Sequence, residues 1–119
     1  MGRIDVAVEI DAPPASVWCV IEPIEQHVEW MVDAVSIRFT SETTKGVGTT
    51  FECDTKVGPI TLTDVMEVTE WETGRRMGVR HIGVVTGTGL FELQPIDLDR
   101  RTRFTWTEEL DFPWFLGGP

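Results

Sequence analysis

Tyrosine and asparagine are missing from the 119 residues, and histidine occurs only twice, as His27 and His81. Without tyrosine the chain has no phenol to act as a buried acid or a polar handle. Two histidines so far apart, with no HExxH and no clustered His, Cys and carboxylate spacing, give no reason to expect a metal. Cysteine is as scarce: Cys19 and Cys53 form neither a CxxC pair nor a zinc spacing and read as reduced, buried thiols of a cytoplasmic protein. Lys and Arg number 10 against 20 Asp and Glu, a formal charge of −10. Phosphate binding depends on clustered Lys and Arg, so nucleic acid and anionic membrane surfaces are excluded as partners. No run of 18 apolar residues occurs, and Met1-Gly2-Arg3-Ile4-Asp5 is not a basic-then-apolar leader, so neither membrane insertion nor secretion is expected. No GxSxG stands out, and the glycine pairs Gly46-Val47-Gly48 and Gly87-Thr88-Gly89 lead into strands instead of the helix that a phosphate loop needs. No cofactor is expected.

The material present, 41% hydrophobic with five Trp and six Phe, suits one domain over residues 1–119. At this size folding buries roughly two-thirds of the unfolded surface, enough for a core without staples. Ile4, Val6, Val8 and Ile10 alternate with Asp5, Ala7, Glu9 and Asp11, the period of a strand with one buried face. Ala12-Pro13-Pro14-Ala15-Ser16 stops that strand and opens a short helix carrying Val17, Trp18, Val20 and Ile21, which Pro23 ends. A second short helix is predicted over 24–32. From Ala34 on, β-branched and aromatic residues punctuated by Gly and Pro predict strands near 34–41, 48–57, 60–71, 76–83, 87–95 and 101–111. The plan is α+β, with helices segregated from one large antiparallel sheet.

Several blocks, in order, resemble one family: Ile10-Asp11-Ala12-Pro13-Pro14-Ala15-Ser16-Val17-Trp18, Gln26-His27-Val28-Glu29-Trp30-Met31, Gly46-Val47-Gly48-Thr49-Thr50-Phe51, Val68-Thr69-Glu70-Trp71-Glu72 with Arg75-Arg76-Met77, and Arg103-Phe104-Thr105-Trp106-Thr107-Glu108-Glu109-Leu110. The chain is similar throughout to the START/SRPBCC superfamily of polyketide cyclase/dehydrase-like proteins. The resemblance implies the helix-grip fold, a seven-stranded curved antiparallel sheet with two short helices after the first strand and a largely apolar cavity for a lipid, polyketide or similar hydrophobic molecule. It also implies a long C-terminal helix. The chain ends with Phe112-Pro113-Trp114-Phe115-Leu116-Gly117-Gly118-Pro119 where that helix would begin, so a gene continuing past Pro119, a second copy covering the exposed sheet, or marginal stability is expected.

Strand alternation places Val35, Ile37, Phe39, Phe51, Cys53, Ile60, Leu62, Met66, Val68, Met77, Val79, His81, Phe91, Leu93, Phe104, Trp106 and Glu108 on the concave face. Glu52, Asp54, Glu67, Arg80 and Glu92 then face water. An apolar lining with few polar groups suits a hydrophobic ligand, while the same side chains would equally fill a solid core. His81 and Glu108 are the polar residues on this face, an arrangement for acid/base work or ligand anchoring unless a bulge reverses their facing. Asp64 shares the phase of Leu62 and Met66, with the same proviso. Trp30 and Met31 suit a portal between helices and sheet, Trp18 is core, and His27 is expected to face solvent. Three functions compete: binding of a hydrophobic small molecule through Trp30, Met31, Phe51, Leu62, Met66, Val79, His81, Phe91, Phe104, Trp106 and Glu108; a cyclase-like enzyme with His81 as acid or base and Glu108 orienting it; and a protein-interaction domain with a vestigial cavity. The missing phenol counts against the second.

Overall fold

The computed structural model describes residues 2–32 and 34–111. Strand β1 (Gly2–Ile10) is followed by helix α1 (Pro14–Ile21), a 3-10 helix (Ile24–Glu29), and strands β2 (Ala34–Phe39), β3 (Thr50–Val57), β4 (Ile60–Glu72), β5 (Arg76–Ile82), β6 (Thr86–Ile96) and β7 (Arg101–Asp111). The strands form one antiparallel sheet in the order β1-β7-β6-β5-β4-β3-β2. A meander runs from β2 to β7, and β1 returns along β7 from Gly2↔Leu110 to Ile10↔Thr102. This is the helix-grip arrangement expected from the sequence, with strand ends moved by a few residues. The Phe112–Pro119 stretch, where the resemblance places the start of a long helix, lies outside the described residues.

Helix α1 begins where two prolines permit it: Pro13 is extended (φ −68°, ψ 156°) and Pro14 takes the first helical position, where no N–H is needed. Its buried face is Val17, Trp18 and Ile21, and Trp18 meets Trp71 edge-on with ring centroids 5.4 Å apart. Cys19 and Val20 fall on the opposite side. Cys19 is therefore exposed, contrary to the expectation of a buried thiol, whereas Cys53 is buried.

The second helix is shorter than expected and of the 3-10 kind, ending at Glu29. His27 is the reason its reading changes. The ring is buried and its Nε2–H donates to the Ile21 carbonyl at 2.7 Å, one of the acceptors left open at the end of α1. At three residues per turn Ile24 and His27 share a face, so His27 points inward and not to solvent.

Two bulges reset the facing of side chains. Between Ala34 and Ser36 in β2 the register shifts, leaving Val35 56% exposed while Ala34 faces the interior. Between Val68 and Glu70 in β4 a second shift brings Trp71, not Glu70, onto the core. Ile60 is also exposed, because the first residue of β4 lies beyond the covered part of the sheet. The convex face carries cross-strand ion pairs: Arg38 with Glu52 (3.1 Å) and Asp54 (2.7 Å), Arg80 with Glu67 (2.6 Å), and Arg76 with Glu92 (3.0 Å). Arg38, with the hydroxyls of Ser36 and Thr63, holds the Asp54 carboxyl well below the usual carboxylate range. Exposed pairs of this kind add little individually but agree with the register. Arg101 reaches across to Glu9 (3.3 Å), so the basic stretch after the β6–β7 turn is tied to β1.

That turn carries three successive non-glycine residues in the left-handed region, Asp97, Leu98 and Asp99 (φ 53°, 54° and 67°). Leu98 is 86% exposed and gains no burial in return for its strain. Leu98→Gly is expected to stabilise the fold by about 0.5–1 kcal/mol, the left-handed penalty less the chain entropy of glycine. At this size that raises Tm by about 2–4 °C in calorimetry, and a fall in Tm would contradict the reading.

Candidate functional site

Between the concave face and the helical pair lies a cavity of about 700 Å³. Its size is within the usual range for small-molecule sites. The inward rows of the sheet supply Phe51 and Cys53 from β3, Leu62 and Met66 from β4, Met77 and Val79 from β5, Phe91 from β6 and Trp106 from β7. His27 and Trp30 close one end, and Met31 also lines the cavity. Phe91 is the centre of that closure, with ring centroids 5.7 Å from His27, 5.6 Å from Trp30, 5.4 Å from Phe104 and 5.9 Å from Trp106. Such tilted and edge-on contacts suit the quadrupoles of the rings. Val32, Lys56 and Gly58, all exposed, line the other end, which is the mouth.

Phe51, Leu62, Met66, Val79, His81, Phe91, Trp106 and Glu108 line this cavity on the inward phase of their strands, and Trp30 and Met31 line it from the segment between the 3-10 helix and β2. Phe104 does not. It faces a separate shallow cleft with Val8, Ile10, Val17, Val20 and Ile21, and Trp30 stands as the wall between the two spaces. The phase of β7 is right for Phe104, but α1 covers that level of the sheet. Ile4, Val6 and Val8 of the edge strand continue the apolar surface outward at 36%, 41% and 46% exposure.

The polar groups converge on one level of the cavity. Asp64 sits on the inward phase between Leu62 and Met66, and both its carboxylate oxygens lie 2.9 Å from His81 Nδ1. The side chains are 3% exposed for His81 and 11% for Asp64. A carboxylate at Nδ1 fixes the N–H there and fixes the ring plane. Glu108, opposite Gly89 in the β6–β7 ladder, also faces the cavity. The register of β7 runs without a break through Glu108 on both sides, so no bulge reverses its facing. The orienting partner of His81 is thus Asp64, and not Glu108 as the sequence alone suggests.

Charges at this level shift one another. Burial acts to lower the His81 pKa, but the hydrogen bond and charge of Asp64, with the charge of Glu108, outweigh it and leave the imidazole above its ordinary 6.5. Burial pushes the Glu108 carboxyl up, against the pull of the His81 charge and a hydrogen bond from Trp106. His27 goes the other way, lowered by burial more than its bond to Ile21 raises it. Burial likewise pushes the Cys53 thiol up, which makes it a poor nucleophile. The set can hold and deliver a proton at His81 Nε2 or Glu108. Among the described residues no group of three or more His, Cys, Asp or Glu side chains is placed to hold a metal ion. No described helix is long and apolar enough to cross a membrane.

Known structures of this shape are numerous. A protein of Thermus thermophilus superposes with a TM-score of 0.80 at 16% identity, covering 94% of this chain and 75% of that one. A protein of Deinococcus radiodurans gives 0.79 at 17% identity, with coverage of 95% and 85%. The Zhui aromatase/cyclase from Streptomyces sp. R1128 gives 0.76 at 16%, with coverage of 92% and 67%. At such identities the likeness concerns the fold. No curated protein matches the sequence. Residues 1–119 match the family described as polyketide cyclase / dehydrase and lipid transport, and the chain, with its curved sheet closed by two short helices over an apolar cavity, belongs to that family.

Proposed function

We propose that the protein binds a hydrophobic small molecule, a lipid, a polyketide or a compound of similar character, inside the sheet. The observation that carries this is the cavity of about 700 Å³, aromatic and aliphatic along its length and open at one end. Burial of apolar surface in such a space is worth about 25 cal/mol per Å², so a ligand of modest size gains useful affinity without any specific polar contact. The family description, which joins cyclases and lipid transport, agrees with this reading. Nile red should be taken up saturably by the purified protein and released by competing hydrophobes. Val79→Trp, which fills the middle of the cavity, should abolish uptake. A folded wild-type protein that takes up no dye and yields no bound compound on solvent extraction would refute the proposal.

The Asp64–His81 hydrogen bond favours one further reading, acid/base catalysis on an enolisable substrate. The fold likeness to an aromatase/cyclase is compatible with it. In that case His81, held by Asp64, transfers the proton and Glu108 serves as a second acid, in an aldol-type cyclisation and dehydration within a water-excluding pocket. If His81→Ala turned over a screened substrate as fast as the native protein, this reading would be wrong.

A further inference from the structure

The two edges of the sheet are unequally protected. β2 is six residues long, bulged between Ala34 and Ser36, and packed against the 3-10 helix. Short, bulged and covered edges resist pairing with another chain. β1 has none of these features. Its nine residues run along β7 without a bulge and include neither proline nor lysine, and among the described residues no strand pairs with its outer side. On the concave face it carries Ile4, Val6 and Val8, each more than a third exposed. The alternate residues Arg3, Asp5, Ala7 and Glu9 lie on the convex face, where the side chain of Arg3 meets Glu109 and that of Glu9 meets Arg101.

We propose that β1 pairs antiparallel with β1 of a second copy, about a twofold axis through Val6, so that the two sheets join edge to edge into one. The open N–H and C=O groups of each strand then satisfy those of the other, as in any strand addition at a sheet edge.

Side-chain chemistry fixes the axis. A twofold axis normal to the sheet keeps both concave faces on one side, so opposed residues must share a face and the axis must pass through a residue. With the axis at Val6, Arg3 stands opposite the partner's Glu9, Ile4 opposite the partner's Val8, and Asp5 opposite the partner's Ala7. Within each sheet Glu9 already stands opposite Arg103 and Arg3 opposite Glu109. A row across the seam therefore reads Arg103, Glu9, the partner's Arg3 and the partner's Glu109, alternating in sign, and the twofold repeats it. Opposite charges and β-branched pairs so placed are favourable cross-strand neighbours. An axis through Asp5 would set that carboxylate against its own copy, and one through Ala7 would set Asp5 against the partner's Glu9. An axis through Ile4 sets Arg3 against the partner's Asp5 but pairs only residues 2–6 in place of 2–10. The pairing at Val6 also prolongs the apolar wall of the ligand cavity, since Ile4 lines that cavity and the partner's Val8 stands beside it.

Sedimentation equilibrium of the purified chain from about 1 µM to about 1 mM tests this. A seam of one strand pair is small, so the mass should rise from 13.4 kDa toward twice that value with a Kd of about 10–100 µM. Arg3→Glu opposes two carboxylates at each end of the seam, and Glu9→Arg opposes two guanidinium groups. Each variant alone should dimerise at least about tenfold more weakly. Mixed in equal amounts, the two variants regain both opposite-charge pairs in a heterodimer, and the mixture should associate at least about fivefold more tightly than either alone. A folding defect would not be repaired by mixing. Val6→Lys, which sets two ammonium groups against each other on the axis, should give a monomer with an unchanged far-UV circular dichroism spectrum. A wild-type chain that stays monomeric, as when another segment or a different protein takes this edge, overturns the proposal. Growth beyond the dimer does so too, since it marks head-to-tail pairing of β1 with β2. A dimer indifferent to Glu9→Arg, or variants that mixing does not rescue, would overturn the pairing at Val6.

Discussion

Asp64→Leu is expected to remove about 3 kcal/mol of folding stability at pH 5.5, and much less at pH 9. Breaking a buried ion pair by removing one partner leaves the other charged and alone, and losses of about 3–5 kcal/mol are usual. The pH dependence comes from His81. Its folded pKa lies above 6.5, so the native state holds a proton that the unfolded chain gives up first. The stabilisation is therefore complete below pH 6.5 and is lost as the pH rises through the folded value. Once the native imidazole is neutral, the leucine variant forfeits only a hydrogen bond. Glu108, raised by burial, releases its proton reluctantly in the folded state and works in the same direction. His27 runs opposite: its lowered pKa makes the native state weaker as the pH falls below 6.5, in both proteins alike, so it cancels in the difference. Urea unfolding of the two proteins at the two pH values measures this. The double variant Asp64→Leu with His81→Leu should recover most of the loss, since apolar replacements of a buried pair are often neutral or better. A deficit equal at both pH values, or a double variant no better than the single one, would show that the pair is not the source.

The second large effect is expected at Phe91. Its ring is 8% exposed and lies against four others, His27, Trp30, Phe104 and Trp106. Phe91→Ala should destabilise by about 3–5 kcal/mol, the transfer of the ring plus the hole it leaves. The hole cannot collapse easily, because its neighbours are held by three different elements: the 3-10 helix, the residue just after it, and β7. Phe39→Ala is the comparison. Phe39 is half-buried at the end of β2 and touches one ring, Phe51, at 6.4 Å. About half the loss is expected there. Equal losses at the two sites, or less than about 1.5 kcal/mol at Phe91, would mean that the aromatic cluster does not hold the helices to the sheet.

The parts of this protein that can be read from the chain are those governed by period. Seven strands follow from two-residue alternation, and eight cavity residues fall where expected because alternation survives along β3, β4 up to its bulge, β5, β6 and β7. What cannot be read is set by single-residue events. A bulge before Ser36 turns Val35 outward, and nothing in Ala34-Val35-Ser36 announces it. His27 is misplaced when an α-helical period is applied to a three-residue turn; the spacing of Ile24 and His27 carries the signal. Asp64 is legible in phase, but its pairing with His81 depends on the diagonal offset of β4 against β5, in which Met66, not Asp64, stands opposite His81. Phe104 has the correct face and the wrong compartment, since strand phase says nothing about where a roof helix lies.

The sheet is an open one: β1 and β2 are its two edges and are not bonded to each other. A closed barrel can widen only by stretching or breaking ladder hydrogen bonds, whereas an open sheet can uncurl with every ladder intact. Its compliance is concentrated at the bulges in β2 and β4, where the backbone is already bent. The interior can thus swell or shrink by bending, at an elastic cost far below that of unpairing a strand. Guests of graded size would be met by a graded change of curvature, giving this cavity a tolerance for bulk that its static walls do not display.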